Sequence, residues 1–160
     1  MIAWRDAAEG GRMIRVDGCL VPPGFIASAK MYSLVLDGDT LYAIFTGPGP
    51  ASIIDYSRAA LDLRQRKGVL EDLAVSTLLK SYLTRIREGE RRIDGGSLAE
   101  LAAVAPGMAF PKAAVSECRL EVKDAYAKLS FKAEGKKRSF ECVVFDLDSL
   151  KALAAALGAP

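Results

Sequence analysis

The chain has no histidine. That removes the commonest general base and the commonest zinc ligand, and with them the usual Ser-His-Asp and Cys-His nucleophile arrangements. Carboxylates, lysines and three cysteines remain. Asp37 and Asp39 flank a glycine, and Asp146 and Asp148 precede an apolar helical run. Turn formation and helix capping account for both pairs. A divalent cation needs more convergent oxygens than either pair supplies. The cysteines are 99 and 24 positions apart (Cys19 to Cys118, Cys118 to Cys142), which is neither a zinc pattern nor a disulfide framework. Buried free thiols are expected, Cys142 inside an apolar strand among them. Gly47-Pro48-Gly49-Pro50 lacks the Gly-Lys-Ser/Thr of a phosphate-binding loop, and its prolines remove amide donors that a phosphate would use. No catalytic motif is recognisable, and no cofactor or metal is implied.

The basic residues are the most suggestive surface feature. Lys136, Lys137 and Arg138 fall at or just after a hairpin tip. Arg64, Arg66 and Lys67 end a first helical pattern, and Arg85, Arg87, Arg91 and Arg92 end a second. Convergence of two clusters would attract phosphate groups, from lipid headgroups or nucleic acid. The plainer reading is that cations at helix C-termini complement the macrodipole and that a charged tip is solvated. Aromatics interleaved with the cations, as single-strand binders use for stacking, are missing, which argues against nucleic acid.

Three strands and a helix dominate the C-terminal part. Val115–Val122, Ala127–Ala133 and Ser139–Phe145 are separated by turn residues, Lys123-Asp124 and then Glu134-Gly135-Lys136. Leu129, Phe131 and Ala133 alternate with Lys128, Ser130 and Lys132, so one face is dry and the other wet. A helix capped by Asp146 or Asp148 follows, with Leu147, Leu150, Leu153, Ala154 and Leu157 as its stripe and Gly158 as its end. Nearer the N-terminus, Met31–Leu36 and Leu41–Thr46 flank Asp37-Gly38, a strong hairpin signal, and both faces carry apolar residues. Phe25–Ala29 reads as a short strand, and residues 1 to about 17 as a loose start or short edge element.

The middle is helical. Ser57 is placed to cap a first helix that Gly68 ends. From Val69 to about Glu88, Val75, Leu78, Leu79, Tyr82, Leu83 and Ile86 form a broad apolar stripe. Arg91 to Gly96 reads as a polar joint. Ser97 and Glu100 form a capping-box pattern before a short helix, Leu98–Val104, which Pro106-Gly107 ends.

These elements predict an α+β fold: an antiparallel sheet with helices packed on it and a C-terminal capping helix. The chain reads as a single domain over 1–160, with a helical block at 57–104 and a β-β-β-α closing unit at 115–158. The order of the closing unit resembles the pleckstrin-homology-like superfold, including its bacterial and GRAM-type versions. The resemblance rests on Val115–Val122, Ala127–Ala133, Ser139–Phe145 and Asp148–Leu157, with Met31–Phe45 as an earlier hairpin. It implies a curled antiparallel barrel plugged by its last helix, and binding of phosphoinositide, peptide or protein, often through a basic tip such as Lys136–Arg138. The helical block is a large insertion for that fold, and a two-layer sandwich of two hairpin–helix halves fits the pattern equally well.

Composition sets the outer limits. A hydrophobic content of 51% allows a sizeable core, and a net charge of +2 is too small to argue for nucleic acid by itself. No apolar run reaches the ~18 residues of a membrane span, and the N-terminus lacks a signal-peptide pattern, so cytoplasm is the expected location. The favoured function is a non-catalytic binding or assembly domain that contacts a partner protein through a sheet edge or the Val69–Ile86 helix, self-association included. The alternatives are a membrane-surface module reading anionic lipid through the basic clusters, and a small enzyme using carboxylate or lysine chemistry.

Overall fold

The computed structural model describes residues 4–6, 12–25, 27–66, 76–144 and 146–160. Among these, eight strands form one antiparallel sheet: β1 (Trp4–Asp6), β2 (Arg12–Val21), β3 (Lys30–Asp37), β4 (Thr40–Pro48), β5 (Met108–Pro111), β6 (Val115–Val122), β7 (Ala127–Ala133) and β8 (Lys136–Cys142). The order across the sheet is β5-β4-β3-β2-β8-β7-β6, with β1 paired to the start of β2. Between β4 and β5 lie the helices α1 (Ile53–Arg66), α2 (Thr77–Gly95) and α3 (Leu98–Ala102), and α4 (Leu147–Ala156) follows β8.

The sheet is rolled, and its connectivity requires this. β5 and β6 are at opposite edges of a seven-strand path, yet only the 3-10 turn Lys112–Ala114 joins them. A flat path of that width would measure about 29 Å. The link spans at most about 15 Å. The edges must therefore approach, and the rings of Phe110 on β5 and Phe131 on β7 do meet edge to face, centroids 6.0 Å apart.

Alternation sorts the strands into an inner and an outer face. Val16, Leu34, Leu41, Phe110, Leu129, Phe131 and Phe140 point inward, and α4 closes the interior with Leu150, Leu153 and Leu157. The outer face is also covered. Val35 and Ile44 pack with Ile93 of α2 and Ala102 of α3, while Leu20, Met31 and Val143 pack with Ile53 and Tyr56 of α1 and Leu83 and Ile86 of α2. β3 is therefore buried on both faces, as the apolar character of its hairpin predicts. α2 lies close on β4 because Gly89 has no side chain: a Cβ there would run into the Thr46 backbone, 2.6 Å from its Cα.

Several expectations need correction. The N-terminal stretch is not loose throughout: Arg12–Val21 is a strand bonded to β3 and β8, with a bulge between Val16 and Cys19 where Gly18 takes φ +73°. Phe25, Ala27, Ser28 and Ala29 are not strand; they belong to the connection from β2 to β3, and Ile26 lies outside the described residues. α1 begins at Ile53 and is capped by Ser52, whose Oγ accepts from the Asp55 N–H, rather than by Ser57. α2 starts after its cap Ser76 and runs on to Gly95, so Arg91, Arg92 and Asp94 are helical and not a joint. Ile93, buried against Val35 and Ile44, anchors that last turn. α3 stops at Ala102, short of Val104. Met108–Pro111, unassigned by its sequence, is a strand. β8 starts at Lys136 and ends at Cys142, so the basic triplet is strand and the two-residue turn is Glu134-Gly135, both at positive φ. Asp146 sits at the start of α4, but its side chain makes no capping bond to the helix backbone; its carboxylate accepts from the Ser149 hydroxyl. Lys67, Gly68, the segment 69–75 and Phe145 lie outside the described residues.

Candidate functional site

The basic residues do not gather on one face. In β8, Lys136 and Arg138 share the parity of inward-facing Phe140, and Lys137 has the opposite parity. Arg138 is half-buried, with its guanidinium over the Phe110 ring at 5.4 Å from the centroid, and its buried Nε has no hydrogen-bond partner. Lys136 and Lys137 are exposed. α2 lies on the outer side of the sheet, so the sheet separates Arg138 from the α2 arginines. On α2, Arg85 and Arg92 occupy one flank and Arg87 and Arg91 the other, as a 100° step per residue dictates. Arg64 and Arg66 close α1.

A polar cluster lies where α2 meets β2. Arg15 points out of the sheet and is largely covered. Its Nε donates to Asp17 Oδ1 at 2.9 Å, one terminal nitrogen donates to Asp94 Oδ1, and the other donates to the Glu90 carbonyl at 2.8 Å. Asp17 Oδ1 also accepts from the hydroxyl of fully buried Ser33. Burial, and secondarily the nearby Asp17 carboxylate, push Glu90 up to about 8, against a partial offset from Arg15 and Arg87. Burial also raises the Tyr56 hydroxyl well above its ordinary value, with Glu90 and Asp17 adding to it. Through Arg15 the cluster ties α2 to the sheet. Sequence gave no signal for it, because Arg15 and Asp94 are 79 positions apart.

The largest described opening is a cleft of about 780 Å³ between α1 and α2. Asp55, Arg58, Ala59 and Asp62 line it from one face of α1, and Leu78, Leu79 and Tyr82 from α2. Here the apolar stripe of α2 divides. Leu83 and Ile86 enter the core, Leu79 and Tyr82 are half-buried, and Leu78 is 64% exposed. The i, i+3, i+4 pattern announced the whole stripe but not that its first turn runs beyond the sheet. A second hollow, about 410 Å³, lies at the β6 bulge and is lined by Glu117, Cys118, Arg119, Lys132 and Lys137 among others. Lys132 there is paired with Glu117 at 2.8 Å.

The β2–β3 connection and the β7–β8 turn lie at the same end of the sheet. The register Cys19↔Cys142 and Leu20↔Glu141 runs antiparallel, so the start of β8 lies toward the end of β2. Phe25 is fully exposed in that connection. Among the described residues, no group of three or more Cys, Asp or Glu is placed to hold a metal ion, and no helix is long and apolar enough to cross a membrane. No family model, curated protein or solved structure matches the chain.

Proposed function

We propose that this chain is a non-catalytic binding module on a pleckstrin-homology-like barrel, and that the α1–α2 cleft receives an amphipathic segment of a partner protein. The strand order and the terminal helix α4 support the barrel reading. The helical block is then an insertion between two neighbouring strands, β4 and β5. Fold analogy alone assigns no ligand. The observation that carries the protein-binding reading is the exposed start of the α2 stripe: Leu78 faces solvent above a cleft that offers both apolar and polar lining. A partner supplies the apolar side chains that the fold does not, a second copy of the chain included.

The test is to select helical peptides from a display library against the folded chain and map the bound peptide by amide shifts. Perturbation at Pro50–Asp62 and Ser76–Tyr82, lost in Leu78→Asp, is the expected result. Shifts confined to β6 and α4, or to the β7–β8 turn, would replace this surface with another. Light scattering separates the cases: concentration-dependent mass that Leu78→Asp abolishes identifies a self-complex.

A second reading has its own observation. Phe25, Lys136 and Lys137 are exposed at one end of the sheet, and the nearby Arg138 has an unpaired Nε. An aromatic beside cations suits an anionic bilayer surface. Sedimentation with phosphatidylserine vesicles but not with neutral ones, weakened by salt and lost in Phe25→Ser/Lys136→Glu/Lys137→Glu, supports that reading. Equal recovery with both vesicle types removes it.

A further inference from the structure

Cys19 on β2 and Cys142 on β8 are direct cross-strand partners, both fully buried, with Sγ atoms 3.7 Å apart. Their thiols are already arranged. Cys19 S–H donates to the Val16 carbonyl at 3.6 Å, and Cys142 S–H is within reach of both the Cys19 sulfur at 3.7 Å and the Phe140 carbonyl at 3.8 Å. Opposed residues of an antiparallel pair have Cα atoms about 4.5 or 5.5 Å apart, and both spacings fall within the range a disulfide bridges.

The pair occupies a critical join. β5, β4, β3 and β2 form one side of the sheet path and β8, β7 and β6 the other. Among the described residues, strand pairing joins the two sides only at β2–β8, where the ladder is two residue pairs long, Cys19↔Cys142 and Leu20↔Glu141. A covalent bond at this position ties residues 123 apart in sequence across the shortest ladder in that path.

We propose that Cys19 and Cys142 are an oxidative modification site, forming an intramolecular disulfide that staples the two sides of the sheet under attack by a low-molecular-weight disulfide. Reaction proceeds when the two-pair ladder opens, because both sulfurs are covered while it is closed. One thiolate attacks a sulfur of the reagent, giving a protein–reagent mixed disulfide and releasing one reagent thiol. The other cysteine then attacks the protein sulfur of that mixed disulfide and expels the second. The protein loses two electrons and two protons, and the reagent is reduced to two thiols. Cys118 lies on β6, outside the pair, and has no cysteine partner among the described residues.

The experiment uses the whole folded chain in buffers of increasing oxidised-to-reduced glutathione ratio, quenched with acid and analysed by intact mass and non-reducing peptide mapping. The expected product has lost about 2 Da, contains a Cys19–Cys142 linked peptide, and unfolds at a temperature higher by at least about 5 °C. Cys118→Ser keeps the product, and Cys19→Ala or Cys142→Ala loses it. The proposal is overturned if Cys118 alone takes up glutathione across the series. A linkage through Cys118 overturns it as well, as does a linked Cys19–Cys142 form that melts no higher than the reduced chain. The wild type carries the decisive measurement, so poor folding of a cysteine variant does not obscure it.

Discussion

Arg15 on β2 and Asp94 in the last turn of α2 are bonded through the outer layer of the molecule, and the same guanidinium holds Asp17 and the Glu90 carbonyl. One side chain therefore satisfies groups on the sheet and on the helix together. The partners are unequally exposed: Arg15 side-chain accessibility is 15% and that of Asp94 is 64%. Arg15→Ala leaves Asp17 with Ser33 as its remaining donor, strips the Glu90 carbonyl of its side-chain donor and is expected to cost about 2–4 kcal/mol. Asp94→Ala removes a solvated partner and is expected to cost under about 1 kcal/mol. Urea unfolding of both variants measures the contrast, and equal losses would show that Arg15 is not the hub.

The same cluster predicts a pH dependence. The Glu90 carboxyl is held at about 8 in the folded chain against an ordinary value of 4.5. A raised carboxyl means that the folded state binds the extra proton between those values. The associated stability is fully present below about 4.5 and is lost as pH rises through about 8. Urea midpoints should therefore fall from pH 5 to pH 9, and Glu90→Gln should flatten that slope. A wild-type slope that the substitution leaves untouched would place the titrating group elsewhere.

Gly89 packs on the Thr46 backbone without room for a methyl group. In a solvated helix Gly→Ala stabilises by up to about 1 kcal/mol. Here the sign reverses, because α2 must lift from β4 to make room. Gly89→Ala should lower the thermal midpoint by about 5 °C or more, with amide exchange rising first in α2 and the facing strand β4. A neutral or stabilised variant would show that the helix slides freely on the sheet.

The basic triplet divides into two kinds of residue. Arg138 stacks on Phe110 with its Nε buried, whereas Lys136 and Lys137 are exposed. Arg138→Ala is expected to cost about 1–2 kcal/mol through lost packing and lost cation–π attraction. Lys136→Glu and Lys137→Glu should each stay within about 0.5 kcal/mol. Thermal scans of the three variants test this, and equal effects would contradict the division.

Much of the fold was legible because its periodicities are strong. The dry face of Leu129, Phe131 and Ala133, the Asp37-Gly38 turn and the stripe of α4 each follow from local sequence and are present in the structure, but Ser130, expected on the wet face of β7, is buried. What escaped was non-local. Arg15 and Asp17 resemble loop residues until Asp94 and Ser33 are placed beside them. Met108–Pro111 is too short and too proline-flanked to read as a strand, and it is one because β4 offers a free edge. Lys136 to Arg138 fall just after the hairpin tip, as expected, but by its sequence the strand begins only at Ser139. Pairing opposite Phe131, Lys132 and Ala133 makes them strand instead. The α1–α2 cleft was half legible: the stripe was visible, but where it leaves the sheet is set by how far β4 extends.

The position of the helical block between β4 and β5 has a consequence for engineering. Thr40–Ala43 and Met108–Pro111 are already adjacent in the ladder, so topologically the helices are a long connection between antiparallel neighbours, although Ile44–Pro48 of β4 runs on past the start of β5. Energetically they are not dispensable. Excision would strip Val35, Ile44, Met31 and Leu20 of their cover and leave an apolar outer wall facing water. The segment is an insertion by chain tracing but the cover of one whole face of the sheet, so a chain trimmed of it would need that face redesigned before it could stay in solution.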